Sequence, residues 1–295
     1  MVFTNHLHTI MAEEPVLIDL EKAIAQKNPR LLRALPGFVI RYLKRTIHQD
    51  ELNEIIRLYG HMSGVDFVKN ALAFMQVTYE TYGLENIPAE GRFIFVSNHP
   101  LGGLDGLVFI KVIGEIFPEI RFPVNDLLLN IPGLNSIFLP INKHGQQSRD
   151  AVRAIEEAYA SDAQILYFPA GLCSRKRKGR IVDLEWKKHF ITKAVEYKRD
   201  VIPVYFSGKN SNFFYNLSNL RILLGIKANL EMIYLPDEMF RQKGKKLSLT
   251  IGPPMPYTLF DKSRTPAQWA EYVKERVYEM GASFENTEKK KSDHG

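Results

Sequence analysis

A histidine and an aspartate six positions apart, His99 and Asp105, are residue types that move a proton when a hydroxyl is activated. An imidazole held at one nitrogen by a carboxylate has a fixed tautomer and a free basic nitrogen at the other. Between them, Pro100-Leu101-Gly102-Gly103-Leu104 forbids a regular continuation, since proline lacks an N–H and glycine tolerates positive φ. The apolar run Phe93-Ile94-Phe95-Val96 before it reads as a buried strand, and a helix follows from Leu104 with Asp105 in its first turn. Such a turn can return the Asp105 carboxylate to the His99 ring. The structural alternative is a histidine that closes a loop and an aspartate that sits at a helix N-terminus for its dipole.

Two further loops that follow strands are rich in functional residue types. Ile141-Asn142-Lys143-His144-Gly145 places a cation and a second histidine there. Phe168-Pro169-Ala170-Gly171-Leu172-Cys173-Ser174-Arg175 runs into Lys176-Arg177-Lys178-Gly179-Arg180. That basic run suits an acidic protein, anionic headgroups or a substrate's acidic group, and is otherwise a solvated loop. No aromatic interleaves its cations, so no nucleic-acid partner is expected. Cys173 beside Arg175 is either a thiolate nucleophile or a packed side chain. His99, Asp105, His144 and Cys173 have no metal-ligand spacing, and no metal is expected.

The elements that must position these residues alternate strand and helix. Strands are expected at Val77-Thr78-Tyr79 to Tyr82, 93–96, 122–124, 137–141, 165–168, 201–206 and 247–251, with helices between several of them. The alternation predicts an α/β fold with a largely parallel sheet flanked by helices, whose working residues gather at the carboxyl ends of the strands. Pro203, inside a strand, predicts an edge or a bulge. Thr265-Pro266-Ala267-Gln268 is a capped helix start. Residues 16 to 77 read as helical, with Val39, Tyr42, Leu43 and Ile47 on one face and Arg41, Lys44 and Arg45 opposite. Such a face either lies in a membrane interface or packs on its own core.

Composition bounds the reading. The 295 residues are 45% hydrophobic and 24% charged, enough for a sizeable core and against global disorder. One cysteine excludes an intramolecular disulfide and fits a reducing compartment. The net charge of +6 favours an acidic partner without choosing among protein, lipid and nucleic acid. The N-terminus lacks the pattern of a signal peptide, and no run of about 18 apolar residues is present to span a bilayer. The expected organisation is an N-terminal helical region over 1–77, an α/β domain over 78–284 and a flexible polar tail over 285–295.

Asn98-His99 followed by Asp105, the Phe-Pro-x-Gly-x-x-Ser-Arg loop at 168–175 and the late Ile202-Pro203-Val204 strand resemble, in that order, the glycerolipid acyltransferases that make phosphatidic acid. The resemblance covers about residues 75–255. It implies a glycerol-3-phosphate acyltransferase-like fold and a thioester-dependent O-acyltransferase at a membrane face. His99 would be general base and Asp105 its orienting carboxylate. Backbone N–H groups near Gly171 would stabilise the oxyanion, and Asn98, Lys143, Gly171, Ser174 and Arg175 would form the substrate site.

Three departures bear on the acceptor. Five residues separate His99 from Asp105 where the family has four, Ala170 stands where it has Glu, and Asn142-Lys143 replaces its phosphate-gripping Arg. With Asn98-His99-Pro100-Leu101-Gly102-Gly103-Leu104-Asp105-Gly106 and Asp183-Leu184-Glu185-Trp186-Lys187-Lys188, the pattern is more similar to the hemolysin-like branch. That branch includes the O-acyltransferases of ornithine- and glycine-type aminolipid synthesis. The resemblance implies an N-(3-hydroxyacyl) amino acid as acceptor, its carboxylate paired with Lys143 or Arg175. It also implies acyl carrier protein (or CoA) as thioester donor and no tightly bound cofactor. Lys176, Arg177, Lys178 and Arg180 would dock the donor or the membrane, at the cytoplasmic face of the inner membrane. The alternatives are a lysophospholipid acyltransferase and a non-catalytic module that binds lipid or acyl carrier protein.

Overall fold

The computed structural model describes residues 16–125, 131–141 and 148–292. Helices α1 (Leu20–Lys27), α2 (Pro29–Ala34), α3 (Gly37–Thr46), α4 (Gln49–Tyr59) and α5 (Gly64–Phe74) come first. Asp19 and Asn28 start the first two by accepting from the N–H groups of Lys22 and Leu31, each at 3.0 Å. The strands are β1 (Thr78–Tyr82), β2 (Phe93–Ser97), β3 (Ile120–Asn125), β4 (Phe138–Ile141), β5 (Gln164–Tyr167), β6 (Arg175–Arg177), β7 (Arg180–Val182), β8 (Asp200–Phe206) and β9 (Lys246–Ile251). Among and after them lie α6 (Gly103–Gly114), α7 (Arg149–Ala160), α8 (His189–Tyr197), α9 (Asn212–Leu223), α10 (Leu235–Phe240) and α11 (Pro266–Ser292).

Seven strands form one sheet in the order β1-β9-β8-β2-β5-β3-β4. All pair in parallel except β8 with β9. Strand β2 shows why both faces need a cover: side chains alternate, so Phe93 and Phe95 enter one core while Ile94 and Val96 enter the other. Helices α4, α5 and α6 close the first with Ile55, Phe67, Leu72, Val108 and Phe109. Helices α7, α8 and α11 close the second with Tyr159, Phe190, Val273 and Val277. Burying each of the four apolar β2 side chains contributes about 1.5–3 kcal/mol relative to leaving it exposed. Helix α5 therefore shares a core with the sheet, across the boundary expected at residue 77.

Pro203 does not mark an edge. Strand β8 is internal, paired with β2 through Val204 and with β9 only from Val204 onward. Opposite Pro203 the facing chain bulges: Gly252 donates to the Pro203 carbonyl at 2.8 Å, and Met255 next pairs with Val201. The bulge stands where the imide nitrogen has no proton to give. The capping box at Thr265 is present, with Gln268 accepting from the Thr265 N–H at 2.8 Å. Helix α11 continues through Ser292, where a flexible tail was expected from residue 285. The Glu- and Lys-rich run there favours helix intrinsically.

Candidate active site

The parallel strands β2, β5 and β8 present their carboxyl ends on one rim, and the loops that leave them converge there. The first loop is welded to β8 by Asn98. Its carboxamide oxygen accepts from the Phe206 N–H at 2.7 Å, and its N–H donates to the Phe206 carbonyl at 2.9 Å. Asn98 is thus buried and satisfied within the protein, a brace and not an open ligand for substrate.

The brace delivers His99 to the rim. His99 Nδ1 lies 3.0 Å from Asp105 Oδ2, so the five-residue spacing closes the pair. Gly102 makes this possible with φ +81°, where an added Cβ would meet Leu235 at 2.8 Å. Asp105 is fully buried, and its carboxylate also accepts from the N–H groups of Leu101 (2.9 Å, Oδ2) and Gly106 (3.0 Å, Oδ1). An acceptor this fully engaged takes a proton donor from the ring, which assigns the proton to Nδ1 and leaves the lone pair on Nε2. The imidazole stacks on Phe168 with ring centroids 3.9 Å apart, which fixes its plane. The His99 side chain is 16% exposed, so the ring still reaches the surface. An oriented imidazole with one free nitrogen can take a proton from a bound hydroxyl.

The loop after β5 packs beneath it. Ser174 donates through its N–H to the His99 carbonyl at 2.7 Å, and through its hydroxyl to Asp183 Oδ1 at 2.5 Å. Ser174 is therefore buried in the frame that holds the histidine. Gly171 adopts φ +65° and donates its own N–H to the Phe168 carbonyl at 3.0 Å, which commits that group to the turn and not to an oxyanion. Ala170 is buried in the second core, packed where a carboxylate would need partners. Burial pushes the Cys173 thiol up to about 11 despite its contact with Arg175, so it is a neutral packed group and not a thiolate.

Arg175 turns inward, against the expectation that it meets an acceptor carboxylate. Its Nη2 donates to Glu231 Oε1 at 2.9 Å and its Nη1 to the Cys173 carbonyl at 2.6 Å. Arg221 completes the site by donating to Glu231 Oε2 at 2.8 Å. The basic run is an antiparallel hairpin and not an irregular loop. Arg175 on β6 faces Val182 on β7, and Lys178-Gly179, both at positive φ, form the two-residue turn. Arg177, Lys178 and Arg180 are exposed at its tip, while Lys176 is half-buried and donates to Asn212 Oδ1 at 3.3 Å. Lys143 and His144 lie outside the described residues. Among the described residues no group of histidine, cysteine, aspartate and glutamate is arranged to hold a metal.

Two contributors escaped the reading by residue type. Asp183 accepts from His99 N at 3.2 Å and from the Trp186 indole at 2.9 Å, while its own N–H donates to the Tyr278 hydroxyl at 2.8 Å. Glu231 is the lone carboxylate residue between Asp200 and Asp237, a signal that was visible but carried no motif.

A family model described as Acyltransferase matches residues 22–287. A lyso-glycine lipid O-acyltransferase of Bacteroides thetaiotaomicron is 49% identical over 265 residues, covering 90% of this chain and 97% of that one. A protein of the same description from Phocaeicola vulgatus is also 49% identical, covering 90% and 95%. The crystal structure of the 1-acyl-sn-glycerophosphate acyltransferase of Thermotoga maritima aligns with a TM-score of 0.46 at 23% identity, over 88% of this chain and 92% of that one.

Proposed function

The chain belongs to the acyltransferase family and is a lipid O-acyltransferase, and from that premise we propose that it acylates a lyso-aminolipid of the lyso-glycine type. The acceptor hydroxyl is that of an N-(3-hydroxyacyl) amino acid, and the donor is a fatty acyl thioester on acyl carrier protein. The observation that carries the mechanism is the 3.0 Å contact of His99 Nδ1 with the buried Asp105 carboxylate. His99 Nε2 takes the hydroxyl proton as the oxygen attacks the thioester carbonyl, and Asp105 supports the imidazolium. The C–O bond forms, the C–S bond breaks, and the departing thiolate receives the proton from His99. No covalent acyl-enzyme is required. The relatives' identity over nine-tenths of the chain supports the acceptor class.

With Arg175 committed to Glu231, Lys143 is the cation proposed for the acceptor's carboxylate. The hairpin tip carrying Arg177, Lys178 and Arg180 has the charge to dock an acidic carrier protein. The enzyme works as a peripheral protein at the cytoplasmic face of the inner membrane. Among the described residues no helix is long and apolar enough to cross a membrane.

The test is acyl transfer from labelled acyl carrier protein by wild type and His99→Ala. Each is offered N-(3-hydroxyacyl) glycine and, separately, lysophosphatidic acid. Esterified aminolipid from wild type alone supports the reading. Product from the phosphate acceptor alone would replace the acceptor, and undiminished product from His99→Ala would remove the base.

A further inference from the structure

The C-terminal end of α9 is closed by backbone hydrogen bonds, yet its apolar side chains are left in solvent. Gly225, at φ +70°, donates to the Ile222 carbonyl at 3.0 Å, and Ile226 donates to the Arg221 carbonyl at 3.0 Å. These two bonds are a complete Schellman closure, so the turn is a fixed structure and not a frayed end. On it Leu223 is 83% exposed and Leu224 63%, with Ile222 also exposed. A rigid turn that presents consecutive large apolar side chains needs an apolar neighbour.

Helix α9 is joined to the N-terminal helices at its opposite end. The Tyr234 hydroxyl, in the segment after α9, lies 2.9 Å from the Tyr42 hydroxyl on α3. The Tyr234 ring packs edge-on against Phe213 of α9 at 4.9 Å. Phe38, one turn before Tyr42, is 66% exposed.

The two segments that bear this surface carry cations in excess, with Glu21 paired to Lys44 and Asp237 to His48 beside them. Residues 29–49 hold Arg30, Arg33, Arg41, Lys44 and Arg45 and no carboxylate. Residues 201–230 hold the exposed Lys209 and Lys227, with Arg221 turned inward to Glu231, and again no carboxylate. Glu231, which follows, is buried between Arg175 and Arg221 and contributes no negative charge to the surface. Exposed aliphatic and aromatic side chains on segments whose exposed charges are Arg30, Arg33, Arg41, Arg45, Lys209 and Lys227 match an anionic bilayer surface, where apolar groups enter the interface and cations meet headgroup phosphate. The hairpin tip of Arg177, Lys178 and Arg180 carries charge with no exposed large apolar side chain, a different surface.

We propose that the α9 turn, with Leu223 and Leu224 at its apex, is an insertion wedge that acts with α3 to seat the protein on an anionic bilayer. Its place in the fold gives it a use. Helix α9 leaves the carboxyl end of β8, and Phe206 there is bound by Asn98 beside His99. The wedge is thus carried on a helix that starts from the rim holding the base, and seating it holds that rim toward the surface from which a lipid hydroxyl comes. That use rests on the lipid O-acyltransferase reading; the seating itself does not.

The test is flotation of purified full-length protein with vesicles of pure phosphatidylcholine and vesicles containing one-third phosphatidylglycerol. Wild type is compared with L223D/L224D and with the milder L223Q/L224Q, each checked for folding by circular dichroism. Acyl transfer is measured in parallel with acceptor in detergent micelles. Wild type should bind the anionic vesicles, and L223D/L224D should bind them about 100-fold or more weakly, with L223Q/L224Q between. Micellar activity should be unchanged. Equal binding by all three proteins would overturn the wedge, and equal binding of wild type to both vesicle types would overturn the anionic surface. Self-association of wild type abolished in L223D/L224D, without vesicle binding, would replace the bilayer with a second copy. Absence of micellar activity in wild type would instead fault the enzyme reading and leave the flotation result standing.

Discussion

The backbone N–H of His99 donates at 3.2 Å to Oδ1 of Asp183, a residue 84 positions further along the chain. The same oxygen accepts the Ser174 hydroxyl at 2.5 Å. One carboxylate therefore ties the loop after β2 to the loop after β5, while the Trp186 indole donates to its other oxygen and the Tyr278 hydroxyl accepts from the Asp183 N–H. It does so in a chain whose loop after β5 carries Ala170 where a carboxylate is usual for the family. Asp183→Ala leaves the buried Ser174 hydroxyl and the His99 N–H without their acceptor, each omission costing about 1–3 kcal/mol. Because small displacements of a base are costly, kcat should fall about 10- to 100-fold while KM for the acceptor changes little. Asp183→Asn keeps an acceptor oxygen and should recover part of the rate. Steady-state kinetics of both variants decide it; an unchanged kcat in Asp183→Ala would remove the brace from the mechanism.

Asp105→Asn preserves size but presents an amide that can donate toward His99 Nδ1. The ring would then carry its proton on Nε2, the nitrogen meant to be free. The expected loss is about 10²–10⁴-fold in kcat, the range for one general-base interaction, with thermal unfolding close to wild type. Melting curves beside the rate assay separate this from misfolding. A loss smaller than tenfold would show that Asp105 serves the loop and not the ring.

Much of this was legible in the sequence because it rests on local rules. The apolar run at 93–96, the glycines at 102 and 103 and the capping box at 265–268 each act within a few residues, and each produced its element. The His99–Asp105 pair was legible because one turn joins them. Arg175 was not, since its partner Glu231 is 56 residues away and whether a cation faces out or in depends on that distant charge. Asn98 and Ser174 were misassigned for the same reason: polar residues beside a base serve substrate or scaffold, and only Phe206 and Asp183 decide which. Pro203 left edge and bulge open because the bulge that accommodates it belongs to the facing chain segment.

Cys173 gives a test by reactivity. Its thiol is fully buried and pushed up to about 11, with Arg175 Nη1 at 3.0 Å from the sulfur. At pH 7.5 the native protein should react with iodoacetamide at least about 100-fold more slowly than the protein in 6 M guanidinium, because a neutral, covered thiol is a poor nucleophile. Intact-mass measurements over time give both rates. Rapid native labelling accompanied by loss of activity would restore a catalytic reading of the cysteine.

The Arg175–Glu231–Arg221 cluster predicts a pH dependence of stability with a definite sign. Burial raises the Glu231 carboxyl, but its backbone hydrogen bond, the Arg221 donors and the charges of Arg175 and Arg221 outweigh that and hold it below its ordinary 4.5. A carboxyl lowered in the folded state stabilises above its unfolded value, and that contribution drains away as pH falls through the folded one. Glu231→Gln lacks the charge and leaves the buried Arg175 without a counter-ion, a loss of about 3–5 kcal/mol at neutral pH. Urea unfolding of both proteins from pH 7 to pH 3.5 should therefore show a wide gap that is constant to about pH 5 and narrows below 4.5. The narrowing arises because the wild type loses what the variant never had. A gap that stays constant to pH 3.5 would mean that the variant's cost is packing alone, with no charge pairing in it.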